Sequence, residues 1–360
     1  MRGSRSVATV AFLVLVGLVA FVTADGVEIP EPRERTAPDP CATPPPARSV
    51  GIAPGSRWKQ DRRARADLQE MADLGVRWIR LGVEWAVVEP QRGQFRWDAI
   101  DRVIDEADSS CLSVLAMVGT TPQWAREPGC RSLWCPPRDL DQFGAFVRAV
   151  AERHPGQIAA WEVWNEPNHA AWFHPAPDPE HYGRLLEAAT GALRAVDPDA
   201  TVLSAGLAPS PSGNPARMLP ARFLDRLYDT GALDAVDAIA YHPYSYPFLP
   251  SQRTGDNGFI DQLRSMREVV LDHDDDKKIW LTEFGSPTPA GDATSLVRQE
   301  QMVTDGFALW RSLDYVGPLF WFAWRDPEMG SPNPQANFGL RRFDDSAKPA
   351  FDDFEAEVRR

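Results

Sequence analysis

From residue 48 onward the chain repeats one pattern eight times, a short apolar run followed by an amphipathic stretch of helical period. The runs fall at 49–52, 76–83, 112–118, 159–164, 201–205, 235–241, 278–282 and 318–324. The helical stretches fall at 62–74, 99–107, 142–153, 180–196, 221–229, 260–271, 294–313 and 350–358. Runs built of Val, Ile, Leu and Trp need cover on both faces, and a parallel sheet with a helix after each strand supplies it. Gly75 and Asp197-Pro198 stop two of the helices where the pattern requires. Eight such units fit a closed (β/α)8 TIM barrel, one α/β domain over 48–360, better than an open doubly wound sheet. No GxGxxG follows the first run, which weakens the dinucleotide-binding form of the open sheet.

A barrel carries its chemistry at the C-terminal ends of its strands. The residues that fall there are Arg80, Glu84 and Trp85 on the second unit, Trp124 on the third, and Asn165, Glu166 and Asn168 on the fourth. His242 and Tyr244 follow on the sixth, Glu283 on the seventh, Trp324 and Arg325 on the eighth. Glu166 and Glu283 each come directly after an apolar run, so they are expected on one rim, about 5 Å apart. Two carboxylates at that spacing suit hydrolysis of a glycosidic bond with retention of configuration. The acidic run 272–276 precedes the seventh strand and belongs to the opposite face; without the central Gly of a calcium loop it reads as a solvated turn. No cluster of His, Asp and Glu recurs with ligand spacing, so neither a metal nor another cofactor is expected.

These motifs resemble those of the clan A glycoside hydrolases, the retaining (β/α)8 glycosidases that include families 5, 39, 42 and 51. Trp164-Asn165-Glu166-Pro167-Asn168 resembles the clan's strand-4 motif, and Thr282-Glu283-Phe284-Gly285 its strand-7 motif. Trp85 with Glu89-Pro90, Gly93, Phe95, Trp97 and Asp101 resembles the strand-2 pattern. Tyr241-His242-Pro243-Tyr244 resembles the strand-6 signature and Phe320-Trp321-Phe322-Ala323-Trp324 the aromatic strand 8. The resemblance runs from about Ser49 to the C-terminus and looks closest to family 39 or family 5. It implies a glycosidase in which Glu166 is the acid/base and Glu283 the nucleophile.

The remaining rim residues have roles that fit this chemistry. A nucleophile must be ionised, so Arg80 and Tyr244 are expected beside Glu283. The Asn165 amide suits the sugar 2-hydroxyl, and His242 suits positioning of Glu166 or of a substrate hydroxyl. Arg80 could instead pair with Glu84 inside the barrel, His242 could be a bonded core histidine, and Asn168 could cap its loop. Of the 13 Trp, several lie in or near rim loops. Trp324 and Trp172 are expected to stack against sugar faces, and Trp124, Trp134, Phe173, Tyr246 and Trp321 are further candidates, though such rings also fill cores. A transglycosylase would use the same residues, and a silent carbohydrate-binding barrel would keep the groove without turnover.

The ends and composition set the context. Arg2 and Arg5 precede an apolar run from Val7 to Val22, and Val22-Thr23-Ala24 offers a cleavage site, so 1–24 is expected to be a signal peptide or, uncleaved, a membrane anchor. The Pro-rich stretch 25–47 is expected to be an extended, disordered tether. Secretion, or tethering outside the cytoplasm, agrees with four cysteines. Their connectivity does not follow from sequence; pairing Cys130 with Cys135 would staple a short loop and leave Cys41 with Cys111 to pin the tether. A net charge of -13 without a basic stripe argues against a nucleic-acid partner. The expected partner is a poly- or oligosaccharide, and the expected state a monomer.

Overall fold

The structure, a computed structural model, describes residues 41–360 apart from 42, 43, 56, 57, 212, 256 and 257. The expected signal segment and most of the tether lie outside the described residues. Eight parallel strands form one sheet: β1 (Val50–Ala53), β2 (Trp78–Glu84), β3 (Ser113–Gly119), β4 (Ala160–Val163), β5 (Thr201–Leu203), β6 (Ile239–Tyr241), β7 (Ile279–Phe284) and β8 (Val316–Phe322). Their order is β5-β4-β3-β2-β1-β8-β7-β6, so β1 and β8 are neighbours. The remaining seam, between β5 and β6, is bridged at Leu203 with Ala238 and at Leu207 with Tyr241. The sheet is thus the expected (β/α)8 barrel, and the strand ends converge on one rim.

The helices are α1 (Ala64–Leu74), α2 (Trp85–Val88), α3 (Asp98–Ser109), α4 (Leu140–Arg153), α5 (Pro179–Arg194), α6 (Pro220–Asp229), α7 (Phe259–Asp272), α8 (Ala293–Ser312) and α9 (Ala350–Val358). Asp139 and Asp178 cap α4 and α5 through the backbone N–H of Asp141 and His181. The short α2 is not part of the sequence reading; it turns the chain directly off β2 and seals Trp85 into the core. The expected run 235–241 shortens to β6, with Ala235 taken into the 3-10 turn Ala232–Ala235 and Ala238 making only an isolated bridge to Leu203. Among the described residues no helix is long and apolar enough to cross a membrane.

Alternation sorts each strand between two cores. Outward residues such as Ile79, Leu81, Val83 and Trp161 pack under the helices in one large apolar cluster. Inward residues Trp78, Leu115, Ala160, Leu203, Ala238, Ala240 and Phe320 plug the lower barrel with Trp280. Above this plug the inward side chains become polar, at Arg80, Glu162, Thr282 and His242, all buried. Disulfides join Cys41 to Cys111 and Cys130 to Cys135, the pairing expected above.

Candidate active site

The seventh strand carries an irregularity that sets the site. Leu281 pairs with Leu319 and Phe284 with Trp321, so three residues of β7 span two of β8. This extra residue is a bulge, and it lets consecutive side chains face the lumen. Thr282 reaches Glu162 at 3.1 Å, while Glu283 reaches Arg80 at 2.5 Å and Tyr244 at 2.7 Å. Simple alternation would have sent one of the two outward. Gly285 then passes β8 so closely that a Cβ there would lie 1.9 Å from the Phe322 carbonyl oxygen. That contact explains the glycine of the Thr-Glu-Phe-Gly motif.

After β4 the backbone enters the left-handed region twice, at Trp164 (φ 78°) and Glu166 (φ 46°). Such conformations are costly for residues with side chains and persist where the surroundings enforce them. Here Trp164 is fully buried, its edge set against Trp134, Phe143 and Phe173, and its Nε1–H donates to the Trp172 carbonyl at 2.7 Å. Asn168 fastens the same loop by bonding Ala208 and Met218, so it is a brace. The turn delivers Asn165 and Glu166 to the rim. His242 Nδ1 lies 2.9 Å from Glu166 Oε1. Oxygens of Glu166 and Glu283 and a ring nitrogen of His242 lie within 4.8 Å of one another. The two carboxylate side chains keep some exposure, 13% and 15%, while His242 beneath them has none.

Beneath the pair lies a carboxylate that the sequence reading missed. Glu162 is inward on β4 and fully buried. Arg80 grips it through Nε at 2.6 Å and Nη2 at 3.1 Å, and turns its remaining Nη1 to Glu283. Arg80 therefore pairs with Glu162 and Glu283, and Glu84 is taken by Lys59. Arg80 Nη2 also donates to Asn165 Oδ1 at 3.1 Å, which leaves the Asn165 amide N–H groups for another acceptor. Position in the strand was the available signal: Glu162 lies two residues from Ala160 and so shares its lumen face.

Charge in this small volume is strongly coupled. Burial alone would raise the Glu162 carboxyl, but the Arg80 charge and His242 hold it down to about 2. Burial would strip the proton from His242; the Glu283 charge and the Glu162 and Glu166 carboxylates push it up to about 9 instead. Burial opposes the charge on Arg80 as well, yet Glu162 and Glu283 raise its pKa further. Burial, then the charge of Glu283, keeps the Tyr244 phenol a donor far above its ordinary range. The compact Glu166, His242 and Glu283 trio does not suit a metal ion. Both Glu283 oxygens are taken by Arg80 and Tyr244, and the Arg80 guanidinium would repel a cation.

The expected aromatic lining is partly corrected. Trp324 is fully buried against Phe351 with Arg341 over its ring, because its side chain points outward into the helical layer. It offers no face to a sugar. Trp321 and Phe173 are likewise buried. Trp124 packs edge-on against Trp85, with Arg92 over its face and its Nε1–H on the Glu89 carbonyl. Trp172 and Trp134 are half-buried and meet edge to face at 5.0 Å near the end of β3 and β4. From β8 the Phe322 ring lies edge to face with Tyr244 at 6.3 Å. Arg325 is buried with Asp67 and Asp345 and stays apart from the pair's bonding.

A model described as the glycosyl hydrolase catalytic core matches residues 133–342, more than half of the chain. The chain belongs to that family. A second model, described as β-galactosidase, matches residues 55–128 of the chain, ahead of that core match. A curated relative, β-galactosidase BbgII of Bifidobacterium bifidum, is 27% identical over 123 residues, 28% of this chain and 18% of the relative. The chain thus spans under a fifth of that relative's length. A family 39 glycoside hydrolase from Bacteroides cellulosilyticus WH2 superposes with a TM-score of 0.70 at 19% identity, over 86% of this chain and 63% of that one. A monomeric β-xylosidase from Caulobacter crescentus CB15 gives 0.66 at 21%, over 86% and 67%. These likenesses agree with the expected barrel.

Proposed function

We propose that the chain is a retaining glycoside hydrolase that cleaves O-glycosidic bonds of a poly- or oligosaccharide by double displacement. The observation that carries this is the opposition of Glu166 and Glu283 within 4.8 Å across a shared histidine, the spacing of a retaining rather than an inverting pair. Glu283, fixed by Arg80 and Tyr244, attacks the anomeric carbon as the glycosidic C–O bond breaks. Glu166 gives its proton to the departing oxygen. Water then attacks the glycosyl ester, its proton passes to Glu166, and Glu283 leaves as a carboxylate. The free amide N–H of Asn165 suits the sugar 2-hydroxyl, and the half-buried Trp172 and Trp134 suit its apolar face. The names of the relatives, β-galactosidase and β-xylosidase, support a β-linked substrate. On this reading the enzyme acts as a monomer outside the cytoplasm, either secreted or held at the membrane by the 1–24 segment.

Glu283→Ala tests the reading. Turnover should disappear, and added azide should restore it with product of inverted configuration. Undiminished turnover in that variant excludes Glu283 as nucleophile. Analysis of products with and without an added acceptor sugar separates hydrolysis from transglycosylation, which shares the geometry.

A further inference from the structure

The third carboxylate, Glu162, touches neither rim nor solvent, yet it has more polar partners than either member of the pair. Arg80 binds it twice, Gly206 N–H donates to Oε1 at 2.8 Å, and Thr282 Oγ1 donates at 3.1 Å. His242 Nε2 faces the same Oε1 at 3.7 Å, too far for a hydrogen bond and close for two charges. That nitrogen is buried and has no hydrogen-bond partner among the described residues. Nothing can intervene on the Gly206 side, since a Cβ there would lie 2.1 Å from His242 Nε2 and 2.9 Å from Glu162 Oε1. A neutral ring with its proton on Nδ1, donating to Glu166, would aim the Nε2 lone pair at a buried carboxylate. A proton on Nε2 turns that repulsion into attraction.

We propose that Glu162 is the positioning residue of this site: it clamps Arg80 against Glu283 and keeps His242 a cation, so that one imidazolium serves both members of the pair. The proposal rests on the reading of Glu166 and Glu283 given above. With Glu166 entering as the neutral acid, Arg80 and His242 face Glu162 and Glu283, two cations and two anions. When the ester forms, Glu283 loses its charge and Glu166 gains one. His242 Nδ1, 2.9 Å from Glu166 and 3.9 Å from Glu283, lies beside the negative charge before and after the transfer. The balance is kept without any group having to move.

The groups facing His242 are Glu162 and Glu166 from β4 and its loop, Glu283 from β7, Arg80 from β2 and Tyr244 from its own loop. From α5, Tyr182 is a further titratable group that feels the Glu162 charge. The test is a nuclear magnetic resonance titration of ring-labelled histidine, with the His242 signal assigned by its loss in His242→Asn. In the wild type the ring should stay protonated through pH 7 and titrate near 9. In Glu162→Gln the midpoint should fall by about one unit or more, a tenfold change in the protonated population at a given pH. Glu162→Asp keeps the charge, so the midpoint should stay near 9 while kcat on a cleaved aryl glycoside falls. A wild-type midpoint at an ordinary 6.5, or one unmoved in Glu162→Gln, overturns the proposal. If Glu162→Gln does not fold, the wild-type midpoint and the Glu162→Asp midpoint decide it. Absence of any turnover in the wild type would count against the catalytic reading alone, because the titration needs none.

Discussion

At the scale of single residues, the site is a set of side chains whose charges depend on one another. Tyr244 donates to Glu283 from a buried position, and a hydrogen bond to a charged group contributes about 1.5–3 kcal/mol. Tyr244→Phe should therefore lower kcat/KM by roughly one to two orders of magnitude with the fold unchanged, as steady-state kinetics and circular dichroism can check. Stability should carry the same coupling. The His242 pKa is raised from 6.5 to about 9, so its contribution is complete below 6.5 and is lost as pH rises through 9. The Glu162 pKa is depressed from 4.5 to about 2, so its contribution is complete above 4.5 and is lost as pH falls toward 2. Calorimetry across pH should find the highest Tm between about 4.5 and 6.5, and His242→Asn should flatten the alkaline fall.

At the scale of elements, the strand ends decide which side chains meet. The eight apolar runs were legible because a strand covered on both faces must be apolar throughout, and the helices because their stripes recur at helical spacing. The β7 bulge was not legible, since nothing in Leu281-Thr282-Glu283-Phe284 marks an extra residue against β8. Nor was the fate of Trp324. It follows a strand as Glu166 does, but its backbone turns the ring into the helical layer. Gly285→Ala should show how tightly β7 and β8 are set. Its Cβ would meet backbone, which cannot rotate away, so overpacking should cost about 1–3 kcal/mol. The expected result is a Tm lower by roughly 2–10 °C in calorimetry.

At the scale of the whole molecule, the two disulfides differ in what they restrain. Cys41–Cys111 spans 70 residues and Cys130–Cys135 only 5. Loop-closure entropy then predicts stabilisation of about 4 and about 2 kcal/mol respectively. Cys41→Ser with Cys111→Ser should lower the denaturation midpoint more than Cys130→Ser with Cys135→Ser, measured side by side in guanidinium. The sequence by itself determined the barrel, the rim and the two rim glutamates, because burial and period are properties of short segments. Tertiary structure alone decided that Arg80 would leave Glu84 for Glu162, that His242 would lie between three carboxylates, and that Gly206 would leave room for it. Those contacts join residues up to 203 positions apart, and their strength comes from a shared buried volume that no local pattern encodes.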